Sequence, residues 1–227
     1  MDDDEGSVVG FSPPPRKSDV LFGSGTDWQA NACVKSIDAA MAYQDGYRRA
    51  ALHLAEYVCE EGRGQDYLVY PIVYLYRHHI ELTLKSIIGA AAFVIDHTLA
   101  KDDFDTLGHH DLAKLWKLAS QMLNPACELG GESPLPPADL EGIDSYIAQL
   151  HQHDPDGQRF RYSTTKAKGQ KTRRLPSLPD NLTHINVRDF AAGMEKLADY
   201  LEGLDSWIGD LVDAKLEYRA QCMRDGL

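Results

Sequence analysis

The stretch that most constrains this chain is residues 67–88, YLVYPIVYLYRHHIELTLKSII. At about 100° per residue, Tyr74, Arg77, His78, Glu81 and Lys85 fall within a window about 100° wide. Ile72, Val73, Ile80, Leu84 and Ile87 lie to one side of that window, and Leu75 and Leu82 to the other. A helix that is apolar around most of its circumference belongs inside a bundle, and its one polar seam must be satisfied there by other residues or by a ligand.

The 227 residues, 43% of them hydrophobic, suffice for one large domain. A formal net charge of −12 argues against a protein that wraps nucleic acid with its whole surface, but it leaves room for a local basic patch. Cys33, Cys59, Cys127 and Cys222 show no CxxC or metal-type spacing and read as reduced, mostly core thiols. The opening MDDDEGSVVGFSPPPRK is acidic and proline-rich, unlike a secretory or transit segment. The longest apolar run, residues 87–95, is far short of the roughly 20 residues that span a bilayer. A cytoplasmic protein without a membrane segment is expected.

Residues 1–25 combine an acidic cluster, three consecutive prolines and glycines, and are expected to be a disordered tail, with residues 26–227 forming a single domain. The spacing predicts a long helix over 27–60, capped by Thr26 or Asp27 and bent near Gly46, followed by the striped helix with Pro71 in an early turn. A third helix is expected over 108–124, opened by His109, His110 and Asp111 and stopped before Pro125, and a fourth over 139–152. A last helix opens at Asn186, with Asp189 favouring its positive end, and runs to about 224. Between the last two, residues 154–185 form an insertion in which 159–164 and 171–175 pair as a hairpin around Lys168 and Gly169. The expected fold is an all-α bundle of about five helices, with a short basic β-hairpin or loop before the long C-terminal helix.

Two motifs follow one another in this order. The first, RHHIELTLK and its continuation, supplies Ile80, Glu81, Leu84, Lys85 and Ile88; the second, GHHDLAKLW, supplies His110, Asp111, Leu112, Leu115 and Trp116. With these the chain resembles HEPN domains, prokaryotic helical-bundle proteins of nucleotide and RNA biology, over residues 28–207. In that family a helix of the type xxIExxLKxxI precedes one of the type gHdLxxLw. The resemblance implies a bundle that often dimerises. In many members it also implies an RNase site at the dimer interface, built from an arginine and a histidine separated by four to six residues. Arg48 and His53 have that spacing here, whereas Arg159, Arg161, Arg173, Arg174 and Arg188 have no histidine at the required distance downstream.

The seam admits two readings. It lines a nucleotide or RNA pocket, since arginine offers a planar phosphate fork and histidine moves a proton near neutral pH, or it is a salt-bridge ladder through the i,i+4 pairs Arg77–Glu81 and Glu81–Lys85. The cluster of His109, His110 and Asp111 either caps a helix or turns a histidine toward Arg77 and Glu81 to complete an acid/base site. Candidate catalytic residues are therefore Arg77, His78, Glu81 and His110, with Arg48 and His53 from the family spacing. His151, His153, Asp154 and Asp156 suit metals by type, but DPDG reads as a tight turn and the spacing of a calcium loop is missing, so no metal is expected. With no glycine-rich phosphate loop, nucleophile elbow or zinc spacing in the sequence, no cofactor is expected either.

Between Asp154 and Ile185 stand seven basic residues, Arg159, Arg161, Lys166, Lys168, Lys171, Arg173 and Arg174, against three acidic ones. That segment carries +4, which leaves −16 on the rest of a chain of net charge −12. These basic residues together with Lys85 are candidates for contacting phosphates, and the interleaved Phe160 and Tyr162 for stacking a base. Docking on the acidic body of this protein or of a partner is the alternative. The function expected is that of an HEPN-like, homodimeric, RNA- or nucleotide-associated protein of a defence or toxin system, acting mainly as a binding or accessory module. A nucleotidyltransferase-like antitoxin is its expected partner. A metal-independent ribonuclease and a non-catalytic interaction scaffold are the alternatives.

Overall fold

The structure, a computed structural model, describes residues 15–19, 21–22, 24–35, 39–166 and 174–225. The chain divides into two compact units, Met1–Ala39 and Ala40–Leu227. Of the tail expected over 1–25, only 15–19, 21–22 and 24–25 are among the described residues.

The helix expected from Asp27 does not form there; a single 3-10 turn, Trp28–Ala30, stands in its place. Local side-chain bonds compete with the helix ladder: Asp27 Oδ1 accepts from the amide of Gln29 at 3.2 Å, and the Asn31 side chain bonds both the amide of Gly25 (2.7 Å) and its carbonyl (2.9 Å). The turn buries none of its residues, so no apolar packing offsets the cost of nucleating a helix.

The first helix is instead α1, Ala39–Glu61, which runs without a break through Gly46. Gly62 (φ 63°) and Gly64 (φ 81°) then reverse the chain in conformations that other residues adopt only at a cost. The seam lies on α2, Gln65–Val94. Pro71 sits within α2, where its missing amide frees the carbonyl of Tyr67, a residue 81% exposed and open to water. A short α3, Lys101–Gly108, occupies what reads in sequence as a polar connection; Asp103 Oδ2 accepts from the amide of Ala100 at 2.8 Å, and no α3 residue is buried. Its formation therefore leaves no apolar period to find.

Helix α4, Leu112–Leu129, starts after the cap Asp111, whose Oδ1 accepts from the amide of Lys114 at 3.2 Å. It does not stop at Pro125 but passes through it. The carbonyl released lies on exposed Gln121, while Ala126 and Cys127 in the final turn are buried and hold the helix together. Helix α5 is Pro137–His153, and the last, α6, is Val187–Asp225, with Asn186 Oδ1 accepting from the amide of Asp189 at 3.2 Å. Between these two, β1 (Thr164–Lys166) pairs antiparallel with β2 (Arg174–Pro176), Thr165 facing Leu175. The first strand thus begins at Thr164 and not at Arg159, because residues 159–161 are bound into a turn that follows α5. The expected hairpin tip at Lys168 and Gly169 lies outside the described residues.

Helix α2 is central, packing against α6 on one side and α4 on the other, with α5 against α4. Ile80, Leu84 and Ile87 of α2 meet Leu115 and Leu123 of α4, Ile147 of α5 and Leu201 and Ile208 of α6 in one fully buried core. The end of α2 is closed from α6: Lys215 Nζ donates to the carbonyls of Phe93 (2.9 Å) and Val94 (2.7 Å), an effective use of a cation at a helix C-terminus. Of the four cysteines only Cys127 is buried; Cys33 is exposed and Cys59 and Cys222 are half-buried, so the expectation of mostly core thiols does not hold. Among the described residues no helix is long and apolar enough to cross a membrane.

Candidate functional site

The buried part of the seam is a structural clamp. Arg77, only 2% exposed, donates from Nε to the carbonyl of Asp154 (3.1 Å), from Nη1 to Glu81 Oε2 (3.4 Å) and from Nη2 to the carbonyl of His110. One guanidinium therefore joins α2, the entry to α4 and the exit of α5. Glu81 Oε1 in turn accepts from Lys85 Nζ at 2.8 Å and lies 2.8 Å from His110 Nδ1. Burial pushes the Glu81 carboxyl up, but the hydrogen bonds from Lys85 and His110 outweigh it and hold the group below the ordinary carboxylate range. Since Glu81 is ionised, His110 Nδ1 must carry the proton and donate, which leaves Nε2 as the basic nitrogen of a half-exposed ring. Among the described residues His78 makes no such bond. It lies parallel to Tyr74 at 5.8 Å and edge-on to Tyr47 at 4.5 Å, and burial depresses its pKa.

Beyond α5 the chain is bound into a turn carrying the basic residues. Asp154, 2% exposed, accepts the amide of Arg159 on Oδ1 at 3.0 Å, and Arg159 Nη1 donates to the carbonyl of His153 at 3.2 Å. The guanidinium of Arg161 lies 5.3 Å from the ring centre of Tyr74 and 5.4 Å from that of Tyr162, a cation between two aromatic faces. Arg174, on β2, donates to Thr164 Oγ1 at 3.3 Å. The turn and the hairpin enclose a groove of about 720 Å³, lined by Arg159, Tyr162, Thr165, Arg174 and Ser177 among others. Arg159, Tyr162 and Arg174 thus share one groove, with Arg161 beside it. Lys168, Lys171 and Arg173 lie outside the described residues, as does the side chain of Lys166. Lys85 is held on Glu81 instead of joining them.

Arg48 and His53 are not brought together. Both lie on α1, and five residues along a helix turn a side chain through about 140°. His53 is exposed, whereas Arg48 is clasped by three carboxylates of α6: Glu195 (2.7 Å), Glu202 (2.5 Å) and Asp199. Burial opposes the charge on Arg48, but the bonds to Glu195 and Asp199 outweigh it and raise its pKa further above the ordinary arginine range. Below this cluster is a residue that sequence reasoning passed over, His79, which is fully buried. Its Nδ1 bonds the carbonyl of Gln44 at 3.1 Å and its Nε2 lies 3.4 Å from Glu202 Oε1. The available signal was on α6, where Glu195, Asp199 and Glu202 follow i, i+4, i+7 spacing and so line one face that calls for a cation.

Two of the residues of metal-ligand type around α5 have local partners. His151 Nδ1 lies 3.3 Å from Asp111 Oδ1, and Asp156 Oδ1 accepts from the amide of Gln158 at 3.2 Å. Among the described residues no group of three or more His, Cys, Asp or Glu is placed to hold a metal ion. Comparison with family models, with curated proteins and with solved structures finds no significant match to this chain.

Proposed function

We propose that this protein binds single-stranded RNA or nucleotides in the groove between the 155–162 turn and the hairpin, as an HEPN-like binding or accessory module. The observation that carries this reading is the arrangement of Arg159, Tyr162 and Arg174 around one groove, with exposed Arg161 stacked beside it. Cations that follow a phosphate backbone, interleaved with aromatic faces on which bases stack, are what sequence-tolerant single-strand binding requires. The HEPN likeness is supported by the meeting of its two motifs, since Glu81 of the first lies 2.8 Å from His110 of the second. A homodimer acting in a prokaryotic defence or toxin system with a nucleotidyltransferase-like partner belongs to the same reading. Fluorescence anisotropy of a short labelled RNA tests it. Affinity should fall with rising salt, with a logarithmic slope of about −0.7 per phosphate contacted, and should be lost in an Arg159→Glu, Arg174→Glu variant. Binding that ignores both salt and these substitutions rejects it.

One observation favours a second reading, metal-independent RNA cleavage: the half-exposed imidazole of His110 is oriented by a buried, ionised Glu81, as a general base needs. Cleavage of RNA in EDTA that is lost in His110→Ala would support it, and intact RNA would reject it. Arg77 and Arg48, both engaged by protein acceptors, have no place in that chemistry.

A further inference from the structure

Beneath Phe160 lies a cavity of about 140 Å³, distinct from the open groove. Residues such as Val73, Phe160, Leu182 and Phe190 give it mainly apolar walls, and its polar lining is Arg77, Gln149, His153 and Asp154. The donors of Arg77 are taken by Glu81 and by the carbonyls of His110 and Asp154; its Nε also lies 3.5 Å from Asp154 Oδ2, an ion pair that offsets the charge without a hydrogen bond, so buried Asp154 Oδ2 and His153 Nδ1 have no hydrogen-bond partner among the described residues. A buried carboxylate oxygen without a donor is costly, and natural proteins seldom leave one so.

Size, polarity and position narrow what would satisfy it. An apolar cavity of about 150 Å³ holds a benzene ring, so one six-membered ring fits here and a purine does not. Asp154 disfavours an anion and calls for an N–H donor. Phe160 also borders a surface groove shared with Arg159, Arg161 and Tyr162, so a ring inside would leave an attached phosphate beside these cations.

We infer that the cavity takes the base of a cytidine nucleotide, with its exocyclic amine donating to Asp154 Oδ2 and its ring against Phe160 and Phe190. Uracil offers a carbonyl where cytosine offers the amine, and would place an acceptor against the carboxylate. The inference rests on the RNA or nucleotide reading for the phosphate, but not for the ring.

Titration of the full chain with cytidine and uridine, followed by methyl and amide NMR, tests the ring without the phosphate. Cytidine should shift the signals of Val73 and Leu182 and bind about tenfold or more tightly than uridine, as an acceptor facing a carboxylate loses a hydrogen bond. Leu182→Phe, at a half-buried position in a loop, should fill the cavity and abolish cytidine binding while salt-dependent RNA binding at the groove persists. Equal response to both nucleosides, response to neither, or undiminished cytidine binding by Leu182→Phe overturns the assignment. Cytidine binding without any RNA binding supports the cavity and rejects the groove, whereas RNA binding without discrimination between the nucleosides does the reverse.

Discussion

A Cβ placed on Gly157 would stand 2.7 Å from Nη1 of Arg77, closer than such atoms approach. Gly157 also has φ of 72°, in the left-handed region that costs other residues about 1–2 kcal/mol. The basic turn and the buried guanidinium therefore hold one another in place, and the seam serves the groove by positioning it. Gly157→Ala is expected to lose at least that 1–2 kcal/mol in urea unfolding and to weaken RNA binding as the turn shifts. An unchanged midpoint would contradict the interlock.

Arg77 neutralises two buried carboxylates, Glu81 and Asp154, each 2% exposed. Removing one partner of a buried ionic cluster typically costs about 3–5 kcal/mol, so Arg77→Ala is expected to be severely destabilised. Arg77→Lys should not restore stability, because an ammonium cannot present the planar fork that reaches three acceptors on different elements. A variant with wild-type stability and selectively lost RNA affinity would show Arg77 to be a ligand group.

Half-buried His78 and fully buried His79 set an acid limit on stability. Burial lowers the pKa of both His78 and His79 from the ordinary 6.5, even though Glu81 opposes the shift at His78 and the carbonyl of Gln44 opposes it at His79. The folded state keeps them neutral while the unfolded chain takes up protons, so their contribution is complete above 6.5 and is lost as pH falls toward their folded values. Glu81, depressed below 4.5, adds a second loss at lower pH, and Asp205, raised by burial, acts in the opposite sense. Urea midpoints at about pH 7.5 and about pH 5.5 should show wild type weaker at the lower value, with the difference reduced in His79→Asn. Equal midpoints for wild type would contradict this.

The pair with the family's spacing should behave as two unrelated residues. Arg48→Ala leaves Glu195, Asp199 and Glu202 facing one another and is expected to lower the melting temperature. His53→Ala, at an exposed site, is expected to change stability by no more than about 0.5 kcal/mol. Neither should alter RNA affinity; a matched loss of RNA binding or cleavage in both would restore them as a site.

The central helix was legible because five polar residues share one face among apolar neighbours, a pattern with few solutions other than burial in a bundle. Whether that face met protein or ligand was not legible, since the acceptors that decide it, Asp154 and the carbonyl of His110, arrive from elements far along the chain. The missing start of the first helix has a local cause. Asp27 and Asn31 bind nearby backbone groups, so their capping potential is used in a turn and a loop before any helix begins. The basic segment was legible only as a charge excess; the groove itself was not, since it forms where the 155–162 turn meets the hairpin, and Phe160, which reads in sequence as a stacking residue, is 7% exposed and lines the smaller cavity instead.

The most direct measurement is photo-crosslinking of a short single-stranded RNA to the protein, with the attached peptides identified by mass spectrometry. The crosslinks should fall on residues 155–178, with Tyr162 foremost. Crosslinks concentrated on α1 around Arg48 and His53, with none in the turn or hairpin, would contradict the assignment of the groove.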